Sequence, residues 1–219
     1  SMLRQTLAAS VLNCMKYNFD NGQKTFWAYE IGRTYLKVEE ADEKCSGVKE
    51  TNVLEGVLTG EVQNSKWQIK TKTDFYTVKG IVENLFEDLE ITRRIKLVPL
   101  ENSPLAKTHG VFHPYRTAVI MLLGKQLQPI GYFGQIHPTL QEKLKLNQEA
   151  FLFKVDLDAV VSAVKETVPR FKHLPQYPEV KRDLAFIIND TVTVDDIQKV
   201  IKSAVKQNIF KGAEIFDVY

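Results

Sequence analysis

The chain has 219 residues, 44% of them hydrophobic and 26% charged. Those proportions exclude a disordered or fibrous protein and allow one large domain, or one domain plus part of another. Lys+Arg (29) exceed Asp+Glu (27) for a net charge of +2, too small a surplus for a histone-like polyelectrolyte, though not for a local RNA site. The two cysteines, Cys14 and Cys45, stand far apart with no C-x-x-C partner, so neither a disulfide framework nor a zinc ribbon is expected and a reducing compartment is the default. No apolar run reaches the ~18 residues of a membrane span, and Ser1-Met2-Leu3-Arg4 lacks the layout of a signal peptide. A cytoplasmic protein without a membrane partner is the expectation.

Leu3, Leu7, Val11, Leu12 and Met15 recur at helical spacing and predict an opening helix that ends at the turn cluster Asn18–Gly22. Thr25–Ile31 reads as an aromatic-rich strand, Lys37–Glu50 as a solvated loop, and Val53–Gly60 as a buried strand with glycines where a neighbour approaches closely. A helix over Asp74–Leu89 carries the strongest pattern, capped by Asp74, with Phe75, Val78, Ile81, Val82, Leu85, Phe86 and Leu89 on its core side. Four strands follow, Ile95–Leu100, Thr117–Leu123, Gln128–Gly134 and Phe151–Val155. Gly124-Lys125 joins the middle two as a hairpin, and a short helix spans Pro138–Leu146. Pro169, Pro175 and Pro178 then mark a linker. Beyond it, Leu184–Ile188 reads as a strand, Thr193 caps a helix bearing Val194, Ile197, Ile201, Ala204 and Val205, and Ala213–Tyr219 begins another strand. Strand–helix–strand reads as the first half of a small α/β domain.

Autonomous chemistry is hard to find. His109 and His113 have the H-x-x-x-H spacing of helical metal ligands, but Gly110 and Pro114 argue against a helix there, and a turn before a strand is the better reading. No G-x-S-x-G, G-x-G-x-x-G or P-loop occurs, and Cys14 reads as a small buried helix residue. No catalytic and no metal-binding residue is assigned. RNA binding has more support: Lys181-Arg182, Lys199, Lys202 and Lys206 could hold phosphates while Tyr219 stacks on a base. Spacing alone favours the plainer alternative, in which the lysines are the wet face of a helix and Tyr219 packs.

Several phrases in order along nearly the whole chain resemble the bacterial-type phenylalanyl-tRNA synthetase β-subunit family. They are Leu3-Arg4-Gln5-Thr6-Leu7 with Asn18, Tyr29–Arg33, Asp74–Gly80, His113–Ala118, Ile130-Gly131 with Gly134–Pro138, and Tyr177-Pro178 with Lys181–Leu184. Phe26–Arg33 looks closest to cyanobacterial or plastid-type members, so a plastid setting is the alternative to the cytoplasm.

The resemblance implies an α+β fold, a class II synthetase-like antiparallel sheet flanked by helices, followed by a partial ferredoxin-like βαβ unit. It places a non-catalytic, catalytic-like domain at 1–165, a Pro-containing linker at 166–180 and the N-terminal half of an anticodon-binding domain at 181–219. Gly32–Leu36 resembles a class II motif 2 strand, with Leu36 where a phosphate-binding arginine is expected, and no G-x-G-x-x-R follows. Leucine cannot stabilise charge on a pentavalent phosphate. The expected role is therefore a scaffold for the α subunit in an (αβ)2 heterotetramer, with ATP and Mg2+ used at the partner subunit and no cofactor held here.

Editing is placed upstream of everything in this chain. By the same resemblance Tyr219 would stack on an anticodon base of tRNA(Phe) with Asp217 beside it, and Lys181 and Arg182 would add phosphate contacts. The chain ends at Tyr219, midway through that domain, and Tyr115 stands where the family commonly has glycine. Two rivals are a free-standing class II-like ATP-dependent ligase and an interaction module with no RNA role.

Overall fold

A computed structural model describes residues 3–37, 47–63, 70–103, 110–124, 126–165, 178–189, 191–205 and 209–217. The chain divides into two compact units, Ser1–Arg170 and Phe171–Tyr219.

The first unit is built on α1 (Ala8–Asp20), β1 (Phe26–Lys37), β2 (Val48–Thr59), β3 (Glu61–Gln63), β4 (Lys70–Lys72), α2 (Phe75–Asp88), β5 (Ile95–Pro99), β6 (Phe112–Leu122), β7 (Gln128–Ile136), α3 (Pro138–Lys143), β8 (Ala150–Asp156) and α4 (Leu157–Lys165). Six strands form one antiparallel sheet in the order β1-β2-β8-β7-β6-β5, and β3 pairs with β4 separately. The α+β class and the helix-flanked antiparallel sheet expected from the sequence are what is observed.

Periodicity explains the helices. In α1, Ala8, Val11, Leu12, Met15 and Phe19 form one buried stripe, and the helix stops where Gly22 adopts φ 91°. Leu3 does not belong to it; it is exposed and lies before the first turn. Cys14 is likewise exposed rather than buried, because it falls on the helix face opposite the stripe. α2 opens with a capping box, the Asp74 carboxylate accepting from Thr77 N–H at 2.7 Å while the Thr77 hydroxyl accepts from Asp74 N–H at 3.3 Å. Pro138 occupies the first turn of α3, which is shorter than the sequence suggested.

The loop expected over Lys37–Glu50 is narrower than read. Lys37 and Val48–Glu50 belong to an unbroken hairpin of twelve register pairs, Phe26↔Thr59 to Lys37↔Val48, and 38–46 lie outside the described residues. His109, Lys125 and residues 166–177 of the linker expected at 166–180 also lie outside them.

Both faces of the sheet are covered, by different helices. On one, Leu58, Phe133, Phe151, Phe153 and Ile120 pack with Val78, Val82 and Phe86 of α2 and Val160 and Ala163 of α4. On the other, Val57, Ile136, Ala150 and Leu152 pack with the buried stripe of α1. Strand register makes this a strict alternation. One row across the sheet reads Glu30, Glu55, Lys154, Tyr132, and the next, on the opposite face, Tyr29, Gly56, Phe153, Phe133.

In the second unit α5 (Val194–Ala204) is present with its expected cap. The Thr193 hydroxyl receives Asp196 N–H at 3.2 Å and donates to the Asp196 carboxylate at 2.6 Å. The two strands expected around it are not formed: Leu184–Ile188 and 213–217 carry no ladder among the described residues. The physical reason is locality. A capped helix satisfies its backbone within itself, whereas a strand needs a neighbour to receive its N–H groups.

One contact ties α1 to the sheet. Glu55 of β2, 1% exposed, accepts Leu7 N–H at 2.9 Å and the Thr6 hydroxyl at 3.2 Å. Burial is the chief reason its carboxyl titrates above the ordinary range, with Lys154 and these donors pulling the other way. A folded-state value above the unfolded one means that the native state holds the proton more tightly. That contribution is complete at low pH and is lost as pH rises from the ordinary carboxylate range through the raised value. Glu55→Gln, which keeps the acceptor without the charge, is expected to flatten this fall, read from urea midpoints between about pH 4 and pH 8. Glu55→Ala leaves Leu7 N–H unsatisfied and is expected to cost about 1–3 kcal/mol in the same measurement.

Candidate functional site

The twelve-pair hairpin β1–β2 is where catalytic-like sequence, buried charge and exposed apolar surface meet. Its two faces do different things.

On the α1 face, the segment before the helix lies across β1. Tyr35 N–H donates to the Arg4 carbonyl at 2.9 Å, Arg4 Nε donates to the Arg33 carbonyl at 2.9 Å, and Arg4 Nη1 pairs with Glu30 at 2.7 Å. The Arg4 guanidinium sits where a side chain at Gly32 would have to go. Two residues further on, Thr6 and Leu7 engage Glu55, so the chain's own N-terminal segment fills the middle of this face. Tyr132, in the same row as Glu55, packs edge-on against Phe112 at 4.9 Å; burial, with Glu55 adding to it, holds its phenol far above the ordinary value. Two arginines at the hairpin pair with its carboxylates, Arg4 of the segment before α1 with Glu30 and Arg33 of β1 with Glu50 at 3.4 Å. Leu36 is exposed near the end of β1. Carboxylate, ammonium and phenol are thus assembled here, but they serve to seat a helix.

The other face carries the aromatic row. The Phe153 ring lies over Gly56, on ground a β-carbon there would occupy, and Phe133 in turn meets Phe75 of α2 at 5.3 Å. α2 and α4 cover this row from β8 to β5 but leave its β1 end open. Trp27 (42% exposed), Tyr29 (71%) and Ile31 (62%) therefore line up on the outermost strand, beside Leu58, Gly56 and Leu54 of β2. Arg33 continues the same face.

Sequence reasoning placed an aromatic-rich strand at Thr25–Ile31 without assigning its two faces. It missed Glu55, Lys154 and Tyr132. The available signal was a lone acidic residue inside the apolar run Val53-Leu54-Glu55-Gly56-Val57-Leu58, since a carboxylate is buried only with partners.

The residues proposed for RNA lie in the second unit. Lys181 and Arg182 are exposed, the Arg182 guanidinium donating to the Lys181 carbonyl at 3.0 Å. Asp217 is exposed, and Tyr219 lies outside the described residues. On α5, Lys199 pairs with Asp195 and, at 3.6 Å, with Asp196, which accounts for one of the three helix lysines as ordinary wet-face pairing. His113 is on β6 rather than in a helix, and among the described residues no cluster of three or more His, Cys, Asp or Glu is arranged to hold a metal.

A family model described as "Phenylalanyl tRNA synthetase beta chain CLM domain" matches residues 1–157, and one described as "Ferredoxin-fold anticodon binding domain" matches residues 175–219. The phenylalanine–tRNA ligase beta subunit of Bacillus subtilis is 36% identical over 221 aligned positions, taking in 100% of this chain and 25% of that protein. That of Synechococcus elongatus is 32% identical over 100% of this chain and 26% of its own length, so the cyanobacterial likeness suggested by Phe26–Arg33 is not the stronger of the two. The chain spans about a quarter of the length of these relatives. Among solved structures, the pyrrolysyl tRNA synthetase PylSc of Desulfitobacterium hafniense aligns with a TM-score of 0.51 at 16% identity, covering 75% of this chain and 50% of that one. At that identity the likeness is one of fold.

The division of the aromatic row into packed and open ends has a measurable signature. Tyr29→Thr with Ile31→Thr is expected to leave stability within about 0.5 kcal/mol, whereas Phe153→Ala is expected to cost about 3–5 kcal/mol, both by chemical denaturation.

Proposed function

The chain belongs to the phenylalanyl tRNA synthetase beta chain family, and from that premise we propose that it is the part of the ligase's β subunit that scaffolds the α subunit and contributes to holding tRNA(Phe). The observation that carries this reading is the open end of the aromatic row. Trp27, Tyr29 and Ile31 stand exposed in line on a sheet whose strands β2, β8 and β7 are packed on both faces. An obligate subunit interface resembles a core cut in half, and a large aromatic with an aliphatic neighbour is the usual anchor of one. The occupant would be the α subunit, within an (αβ)2 assembly acting in the cytoplasm.

In this reading the domain over 1–165 is a catalytic-like fold without catalysis. Class II activation needs cationic side chains on the nucleotide phosphates, and here Leu36 replaces one while Arg4 and Arg33 are neutralised by Glu30 and Glu50. The α1 face is filled by Arg4, Thr6 and Leu7. ATP and Mg2+ would be used at the partner subunit. Residues 166–180 would be the linker and 181–219 the first half of a ferredoxin-like anticodon-binding domain. The exposed apolar side chains of Leu184, Phe186, Ile187 and Phe216 support that placement, as strand residues awaiting a sheet. Within it Tyr219 and Asp217 would meet an anticodon base, and Lys181 and Arg182 the backbone.

Two outcomes check the reading. Titration of purified α subunit with this chain, followed by sedimentation velocity, is expected to give a complex that Tyr29→Ser with Ile31→Ser weakens by at least tenfold; undiminished association of that variant would move the interface elsewhere. In the complete assembled enzyme, Tyr219→Ala is expected to weaken tRNA(Phe) binding by roughly tenfold or more, the scale of one lost stacking contact, and unchanged affinity would leave the tail as a packing element. ATP binding by this chain alone would favour the rival, a free-standing ligase.

A further inference from the structure

The β6–β7 ladder of the first unit is interrupted near its Phe112 end. Between Phe112↔Ile136 and Thr117↔Gly134 the β6–β7 ladder slips, so that the four residues His113–Arg116 stand opposite Gln135 alone. An excursion of this size gives up backbone pairing near the end of the β6–β7 ladder, where only Phe112↔Ile136 lies beyond it, and bulges of this kind are used to re-aim side chains. Here it is fixed from several sides. The Thr117 hydroxyl donates to the His113 carbonyl at 2.7 Å, Tyr115 N–H donates to His113 Nδ1 at 3.2 Å, and Arg116 Nη1 reaches Gln135 at 2.9 Å and Glu149 at 3.0 Å. A β-carbon at Gly134 would collide with the Arg116 carbonyl, so the bulge also requires glycine opposite it.

What this scaffold presents is Tyr115, 77% exposed, its ring edge-on to the His113 imidazole at 6.2 Å. His137 stands close enough for its charge to bear on His113. Both imidazoles use Nδ1 as the acceptor for a backbone N–H, from Tyr115 and from Thr139 at 3.2 Å, which leaves the proton of each neutral ring on Nε2 as a donor. Burial, Arg116 and His137 together push His113 below the ordinary histidine value, in keeping with a neutral ring at pH 7.

We propose that the His113–Arg116 excursion is an RNA contact on the first unit, in which Tyr115 stacks on an unpaired base and the imidazole N–H groups donate to the adjoining sugar-phosphate. The inference rests on the reading that this chain serves a tRNA ligase. RNA is favoured over a protein partner by the surroundings. Among the described residues Tyr115 stands beside Pro114, the His113 imidazole and Arg116, which pairs with Glu149, polar company rather than the apolar rim that excludes water around a protein hot spot. Base stacking needs only an exposed aromatic face held rigid among polar donors. The Glu149 carboxylate is engaged by Arg116 and by Gln135 Nε2 at 3.3 Å, which offsets its repulsion of phosphate.

The test is binding of the 219-residue chain to a tRNA(Phe) transcript and to a labelled single-stranded RNA decamer, read by fluorescence anisotropy across a salt series. Tyr115→Ala is expected to weaken binding about tenfold with the salt slope unchanged, since no phosphate contact is removed, while Tyr115→Phe retains affinity. Unchanged RNA affinity in Tyr115→Ala, with Lys181→Ala/Arg182→Ala still weakening it, would overturn this proposal and leave the tRNA reading standing. No RNA binding by the parent chain or by the assembled enzyme would overturn both. Loss of α-subunit association in Tyr115→Ala, with RNA binding intact, would make the excursion a protein contact instead.

Discussion

The first unit turns on a carboxylate that caps a helix from across the sheet. The N-cap residue of α1, Leu7, offers no side-chain cap and the first turn no acidic residue; the Thr6 hydroxyl accepts Ala8 N–H at 3.1 Å, and the partner of Leu7 N–H comes from Glu55, 48 residues further along the chain. A helix N-terminus favours negative charge, and a buried carboxylate needs donors, so each group offsets part of the other's cost, although burial still prevails at Glu55. This pairing decides where α1 sits and which face of β2 it covers. Through Arg4 and Tyr35 it also decides how the N-terminal segment lies on β1. A strand residue has thereby fixed the placement of a helix that precedes it by one hairpin arm.

That placement has a functional side. In an antiparallel sheet, successive residues of a strand serve opposite faces, so committing Glu30, Glu55 and Lys154 to one face commits Tyr29, Gly56 and Phe153 to the other. The interior ends of the second row are roofed by α2 and α4, while β1 lies beyond their reach. The polar face is closed by the chain itself and the apolar face is left open at one edge. A domain arranged this way is poorly suited to binding a small substrate in its middle and well suited to being half of something larger.

Much of this was legible in the residues. The stripe of α2 with its Asp74 cap, the hairpin strands on either side of Gly124, and the capped tail helix were all written in local patterns, because periodicity and capping are short-range. Motif 2-like Gly32–Leu36 was legible too, including the leucine that stands where an arginine would be expected. The parts that escaped are the non-local ones. Leu3 matched the helical spacing but precedes a helix whose start is set by Glu55. Cys14 lay within the right helix but on its wet side. Leu184–Ile188 has the composition of a strand, yet composition supplies no neighbour. The bulge at His113–Arg116 was invisible because it is a property of two strands read together, and only Gly134 and the proline within it hinted at irregularity.

The same openness of β1 that suits assembly has a cost when the chain is alone. An outermost strand of twelve residues, with a row of large apolar side chains on one face and unpaired backbone groups along its free side, is a template on which another strand can add. Arg4 covers the Tyr35 end and reaches Glu30 on the α1 face, and the charges of Arg33 and Lys37 are gathered toward that end as well. The face that carries Trp27, Tyr29 and Ile31 has no charged residue of its own along that stretch. On the function proposed above, a cell making this polypeptide would have reason to match its supply to that of the partner proposed for β1, because the same surface, left bare in excess, is a seed for aggregation.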